Sequence, residues 1–143
     1  MSAKVTPEPI DRYLLQFDGA SRGNPGLCSC GYVIYKNDII IKENSLFLDS
    51  NNTNNFAEYL GLIYGITAAL QLDITTLHIQ GDSKLVLKQV QGLWKVKSEN
   101  LKEKCDLAKS LLQKYDLVTY EHIPRNKNKI ADALANQALD NHK

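Results

Sequence analysis

Asp18, Glu58, Asp82 and Asp132 are acids in places where a charge normally costs stability. Asp18 closes the apolar run Tyr13–Phe17 and opens Asp18-Gly19-Ala20-Ser21-Arg22-Gly23-Asn24-Pro25-Gly26. Asp82 follows a second run, Leu77–Gln80, after Gly81. Glu58 and Asp132 fall early in two separate helical patterns. Taken singly, a strand-end aspartate is more often a turn residue than a ligand. An acid in a helix's first turn is likewise explained by the dipole. Four converging acids would repel one another strongly in a low-dielectric site, so such a cluster requires divalent cations. That points to metal-dependent chemistry on phosphate.

The elements that must position these acids can be read from hydrophobic periodicity and turn residues. Tyr13–Phe17 predicts a buried strand, Gly31–Tyr35 a second, and Ile39–Leu48 a third with an irregularity near Asn44. Lys36-Asn37-Asp38 is short enough for a hairpin. The polar stretch Ser50–Asn55 predicts a loop into a helix from about Asn55 to Gln71, with Leu60, Ile63, Tyr64, Thr67 and Leu70 at helical spacing. Leu77–Asp82 is a fourth strand. Ser83 caps a short helix through Val90, and Gln91–Lys97 connects it to a helix capped by Ser98. The inner face of that helix is Leu101, Cys105, Ala108 and Leu112. Leu117–Ile123 is a fifth strand, Pro124–Lys127 a loop, and Asn128 a cap for a last helix to about Asp140. A meander followed by strand–helix alternation predicts an α/β fold, a mixed sheet with helices on its faces. Ligands in such sheets gather at strand ends where the strand order changes. If the first and fourth strands are parallel neighbours, Asp18 and Asp82 lie side by side.

The 143 residues suit one domain, expected over residues 11–143, behind a loose tail over 1–10 that holds two prolines. A net charge of +1 hides a segregated distribution. Lys84 to Lys114 holds eight lysines against three acids, whereas the first sixty residues hold seven acids against five bases. By itself the lysine-rich stretch reads as a solvated helix face. Cys28, Cys30 and Cys105 lack zinc-site spacing, and their odd number, with no signal-peptide pattern, predicts reduced thiols and a cytoplasmic setting. No run is long enough to span a membrane.

Four motifs resemble the type 1 ribonuclease H family, in its short-loop, archaeal-like form. They are Asp18-Gly19-x-Ser21-x-Gly23-Asn24-Pro25-Gly26, Thr53-Asn54-Asn55-x-Ala57-Glu58, Gly81-Asp82-Ser83 and Asn128-x-x-Ala131-Asp132-x-Leu134-Ala135. Their order and spacing follow the family over residues 12–140. The resemblance implies a five-stranded mixed sheet, the first three strands antiparallel, flanked by helices. It implies an endoribonuclease cutting the RNA strand of RNA–DNA hybrids to 5′-phosphate and 3′-hydroxyl ends. Two magnesium ions are implied, with manganese a possible substitute. Asp18 would bridge them, Glu58 and Asp82 holding one and Asp132 the other. No separate hybrid-binding domain is seen before the motifs, so low processivity is expected; the protein is expected to be a monomer.

Hybrids differ from DNA by the 2′-hydroxyls of one strand, readable from the shallow groove by small polar side chains. The resemblance assigns that role to Ser21, Asn24, Asn54 and Asn55, and a DNA-phosphate contact to Thr53. Gly-Asn-Pro-Gly is also plain turn chemistry. Trp94, followed by Lys95-Val96-Lys97, matches the family's substrate-binding stretch in abbreviated form, or else closes the core edge. The family's loop histidine has no counterpart. His122 falls inside the fifth strand and reads as structural, leaving Arg125 to stabilise phosphate charge or aid release. Three alternatives share the fold: a domain serving a reverse transcriptase, a non-catalytic hybrid-binding module, and integrase, transposase or resolvase chemistry. Four intact acids argue against the pure binder, and the Thr53–Asn55 segment favours ribonuclease H over the last group.

Overall fold

Strands β1 (Tyr13–Gly23), β2 (Gly26–Lys36) and β3 (Ile39–Asn52) form the antiparallel meander in the computed structural model, which describes residues 10–142. The tail expected over 1–10 lies outside the described residues, except for exposed Ile10. There follow α1 (Asn54–Gln71), β4 (Thr76–Gly81), α2 (Lys84–Val90), α3 (Glu99–Leu112), β5 (Leu117–His122), a 3-10 turn (Arg125–Lys127) and α4 (Lys129–Asn141). The sheet runs β3-β2-β1-β4-β5, with β1–β4 and β4–β5 parallel. This is the five-stranded mixed sheet flanked by helices that the sequence implies.

Helix α1 covers one face, with α2 beside β5 and α3 packed on α1 and α2. Leu15, Phe17, Ile34, Leu77 and Ile79 of the sheet share one core with Leu62 and Ile66 of α1 and Leu101 and Leu112 of α3. Helix α4 covers β1–β3 on the opposite face. Every residue of β2 from Cys28 to Ile34 is therefore buried, as expected for a strand covered on both sides. Ser83 and Ser98 cap α2 and α3 as predicted, each hydroxyl accepting from a backbone N–H three residues on.

Four local expectations need correcting. Strand β1 does not end at Phe17 but continues through Asp18 to Gly23, because Asp18–Arg22 pair with Leu27–Gly31. Only Asn24 and Pro25, joined by a cis peptide, remain as the turn. Strand β3 likewise runs on through the polar stretch to Asn52. Its irregularities fall at Ile41, at Leu48 and at Ser50–Asn51, which the register skips, while Asn44 pairs regularly with Tyr32. The face of α1 is also rotated from the predicted one: Tyr64 is exposed, while Ala57, Gly61 and Gly65 are buried. Small residues let this helix lie close to β1, and α3 covers its flank. Lastly, Asn128 occupies the N-cap position of α4, but its side chain caps nothing there.

Candidate active site

The register explains why the acids meet. Asp18 pairs with Gly31 of β2, one step beyond Phe17, which pairs with Gly81 at the end of β4. Asp82 follows directly, beside the middle of β1. A Cβ on Gly19 would lie 2.3 Å from the backbone nitrogen of Glu58, so α1 rests on the β1 backbone here. Only glycine permits that approach, and it brings Glu58 to Asp18. On the other face a Cβ on Gly31 would lie 2.7 Å from the Ala131 carbonyl. Helix α4 thus descends on the rung that carries Asp18, with Asp132 in its first turn.

Asp18, Glu58 and Asp82 offer ligand oxygens all within 4.8 Å of one another. Asp132 stands outside that triad but lines the same cleft of about 580 Å³. Asp18 is 3% exposed and Glu58 4%. Burial is the main force raising the Asp18 carboxyl to about 7, and the nearby charges of Asp82 and Asp132 push the same way. Burial, then the Asp18 charge, lifts Glu58 well above the usual carboxylate range. Asp82 is raised too, chiefly by burial, against the pull of Asn128, Arg125 and His122. Glu58 Oε2 is buried with no hydrogen-bond partner among the described residues. A buried, unpartnered carboxylate oxygen facing two further acids suits a hard divalent cation, since all donors are oxygen.

Of the other predicted residues, Ser21, Asn54 and Arg125 line the cleft. The Arg125 side chain is 80% exposed, its Nη2 3.7 Å from Asp132 Oδ1. Asn24 sits on the rim, its Oδ1 accepting from the Asn54 backbone N–H at 3.0 Å. Thr53 caps α1, its hydroxyl accepting from Phe56 N–H at 3.1 Å. Asn55 is exposed beyond the cleft lining, and Trp94 is 43% exposed on the α2–α3 connection. His122, expected as a structural residue of the fifth strand, lines the cleft. As the last residue of β5 it pairs with Gly81, and its Nε2 lies 3.2 Å from the Asp82 carbonyl oxygen. Asn128, expected only as a helix cap, and Asn136, which no motif marks, each hold one of the acids. Asn128 Nδ2 donates to the Phe17 carbonyl at 2.9 Å and reaches Asp82 Oδ2 at 3.5 Å; Asn136 Nδ2 reaches Asp132 Oδ1 at 3.3 Å. The spacing of Asn136 four residues after Asp132 was the available signal for the second pair.

These shifts set the sign of a stability test. Asp18 rises from 3.8 to about 7 on folding, so its contribution to stability is fully present below 3.8 and lost as pH rises through about 7. Chelator-treated protein is expected to lose melting temperature between those pH values. Magnesium should restore more of it as pH rises, because it binds the ionised acids. Thermal melts with and without magnesium check this, using Asp18→Asn to isolate the contribution. A magnesium shift independent of pH would contradict it.

The sheet order and the acids at its β1–β4 centre define the ribonuclease H-like class of fold. A family model described as reverse transcriptase-like matches residues 16–138. A ribonuclease HI of Halobacterium salinarum is 40% identical over 140 residues, covering 98% of this chain and 70% of that protein. A bifunctional protein of Mycobacterium tuberculosis is 39% identical over 90% of this chain, which spans 36% of it. Among solved structures, the Halobacterium salinarum RNase H1 superposes with a TM-score of 0.88 at 41% identity, covering 92% of this chain and 99% of that one. LC11-RNase H1, solved in complex with an RNA/DNA hybrid, gives 0.83 at 34% identity over 90% and 97%. The chain belongs to the type 1 ribonuclease H family of enzymes. No helix among the described residues is long and apolar enough to cross a membrane.

Proposed function

We propose that residues 11–143 act as one ribonuclease H domain, an endoribonuclease that hydrolyses the RNA strand of RNA–DNA hybrids to 5′-phosphate and 3′-hydroxyl ends. The observation that carries this is the triad of buried Asp18 and Glu58 with half-buried Asp82, in a cleft lined also by Ser21 and Asn54. Asp18, Glu58 and Asp82 would hold one divalent cation, and Asp132 with Asp18 a second. Magnesium is favoured, with manganese able to substitute. When bound, the pair supplies an activated water and charge neutralisation at the leaving oxygen. A pure binding module has no use for two buried acids held at raised pKa beside phosphate.

The chain's own groups do the positioning. Ser21 and Asn54 face the side where a shallow groove would present its 2′-hydroxyls. The Asn24–Asn54 bond holds the β1–β2 turn against the start of α1, which fixes the distance between these two contacts. Thr53 accepts at its cap through one lone pair, which leaves its O–H free to donate to a DNA-strand phosphate, while exposed Asn55 joins the groove contacts. Trp94 would pack on sugar while Lys95 and Lys97 meet phosphate. Arg125, tied only loosely to Asp132, can swing to the scissile phosphate. Free, buried Cys28, Cys30 and Cys105 suit a reducing, cytoplasmic setting, and the protein is taken to act as a monomer.

Labelled RNA–DNA, RNA–RNA and DNA–DNA duplexes, each with magnesium, manganese or chelator, test the reading. Preference for the hybrid and dependence on metal are expected, while equal cleavage of all three would overturn it. Arg125→Ala is expected to lower kcat about tenfold with KM little changed, as for a contact strengthened only in the transition state. Turnover within about twofold of wild type would remove Arg125 from the mechanism.

A further inference from the structure

Behind the cleft, three helices share one buried polar chain. Tyr59 of α1 is fully buried, and its hydroxyl donates to Gln89 Oε1 of α2 at 2.5 Å. Gln89 is 4% exposed, and its Nε2 donates to the Lys95 carbonyl at 3.3 Å. Cys105 of α3 adds a weak Sγ–H bond to the Gln89 backbone oxygen at 3.6 Å. A buried amide costs stability unless both of its ends are bonded, and an apolar side chain would fill the same space without that cost. What the amide provides is a hold on Lys95.

Residues 91–97 contain no helix or strand. The segment leaves α2 through backbone bonds from Gly92, Leu93 and Trp94 to Gln89 and Lys88, and Val96 touches the core. Between those anchors the Gln89 amide is the side-chain hydrogen bond that grips the backbone, one residue after Trp94. Trp94 stands 43% exposed, with Lys84 Nζ 5.8 Å from its ring centroid. Tyr59 directly follows Glu58, so the chain of bonds joins this segment to the helix that carries a candidate metal ligand.

We propose that Gln89, oriented by Tyr59, is a positioning residue for substrate binding: it locks residues 91–97 so that Trp94, Lys95 and Lys97 present one fixed face to the duplex. This rests on the proposed contact of Trp94 with the hybrid. Gln89→Met keeps the volume and removes both bonds. Trp94 is the sole tryptophan, so its fluorescence reports on the segment directly.

In the full chain with magnesium, Gln89→Met is expected to raise KM for the hybrid about fivefold, with kcat within about twofold. Acrylamide quenching of Trp94 should rise about twofold, since a released segment exposes the indole. Tyr59→Phe, which deletes one hydroxyl, should move both readouts the same way by less, and it carries the test if Gln89→Met does not fold. Unchanged KM and quenching in a folded variant, or a fall in kcat alone, would overturn the proposal. If wild-type Trp94 emission does not respond to hybrid, the substrate contact fails instead. Quenching in Gln89→Met then still decides whether the amide locks the segment.

Discussion

Asp18→Asn is expected to lose about a thousandfold or more in turnover, the scale of several kcal/mol of transition-state stabilisation. The same substitution should make the metal-free protein more stable. Asp18 sits mid-strand, 3% exposed, with burial and two neighbouring acids opposing its charge. Asparagine keeps the shape, and its Oδ1 can still accept from the Gly19 N–H, which Asp18 Oδ1 does at 2.9 Å. What disappears is a charge the fold does not want and a cation requires. Activity falling while chelated stability rises separates a functional acid from a structural one. Melting temperature in chelator and single-turnover cleavage in magnesium measure the two. Loss of both together would mean that Asp18 is chiefly a structural residue.

Asn128→Ala carries the second large effect. Asn128 is fully buried, joining the Phe17 carbonyl of β1 and the Asp82 carboxylate to the start of α4. Its removal takes the side-chain donor from the Phe17 carbonyl and opens a small cavity, offset in part by losing the unpartnered Asn128 Oδ1, for a net cost of about 1–2 kcal/mol. It also frees Asp82 and lets α4 shift, and with α4 moves Asp132. Supporting groups of this kind typically carry about 10–100-fold of activity or metal affinity. Both losses are expected, the first by urea denaturation and the second by cleavage rate and magnesium affinity. Asn128→Asp should be worse for metal binding in spite of its shape, because it adds a fifth acid facing Asp82 and the Phe17 carbonyl. Cleavage and magnesium affinity within about twofold of wild type in folded Asn128→Ala would confine the residue to stability.

The contrast between Asp18 and Asn128 shows how far the sequence reaches. The four acids and the element order were legible because strands, caps and turns are local patterns. Ser83 and Ser98 cap where their spacing says they should. Strand β1 was cut short at Phe17 because Gly-Ala-Ser-Arg-Gly carries no apolar signal, although its backbone pairs with Leu27–Gly31 all the same. The face of α1 was misplaced because Ala57, Gly61 and Gly65 are invisible to a count of large apolar side chains. Asn128 looked like a cap because its true partner, the Phe17 carbonyl, lies 111 residues away. His122 could be placed beside Asp82 only once β5 was known to run parallel to β4 with His122 opposite Gly81. In each case the missing information was tertiary: which backbone lies against which.

The central claim, that these acids hold cations which cut RNA in hybrids, meets its most direct test in one measurement. End-labelled RNA–DNA hybrid is incubated with wild-type protein and with Asp82→Asn, in magnesium and in chelator. Cleavage of the RNA strand by wild type in magnesium alone, leaving 5′-phosphate ends, is the predicted result. Cleavage that persists in chelator, or that Asp82→Asn retains in magnesium, would contradict it.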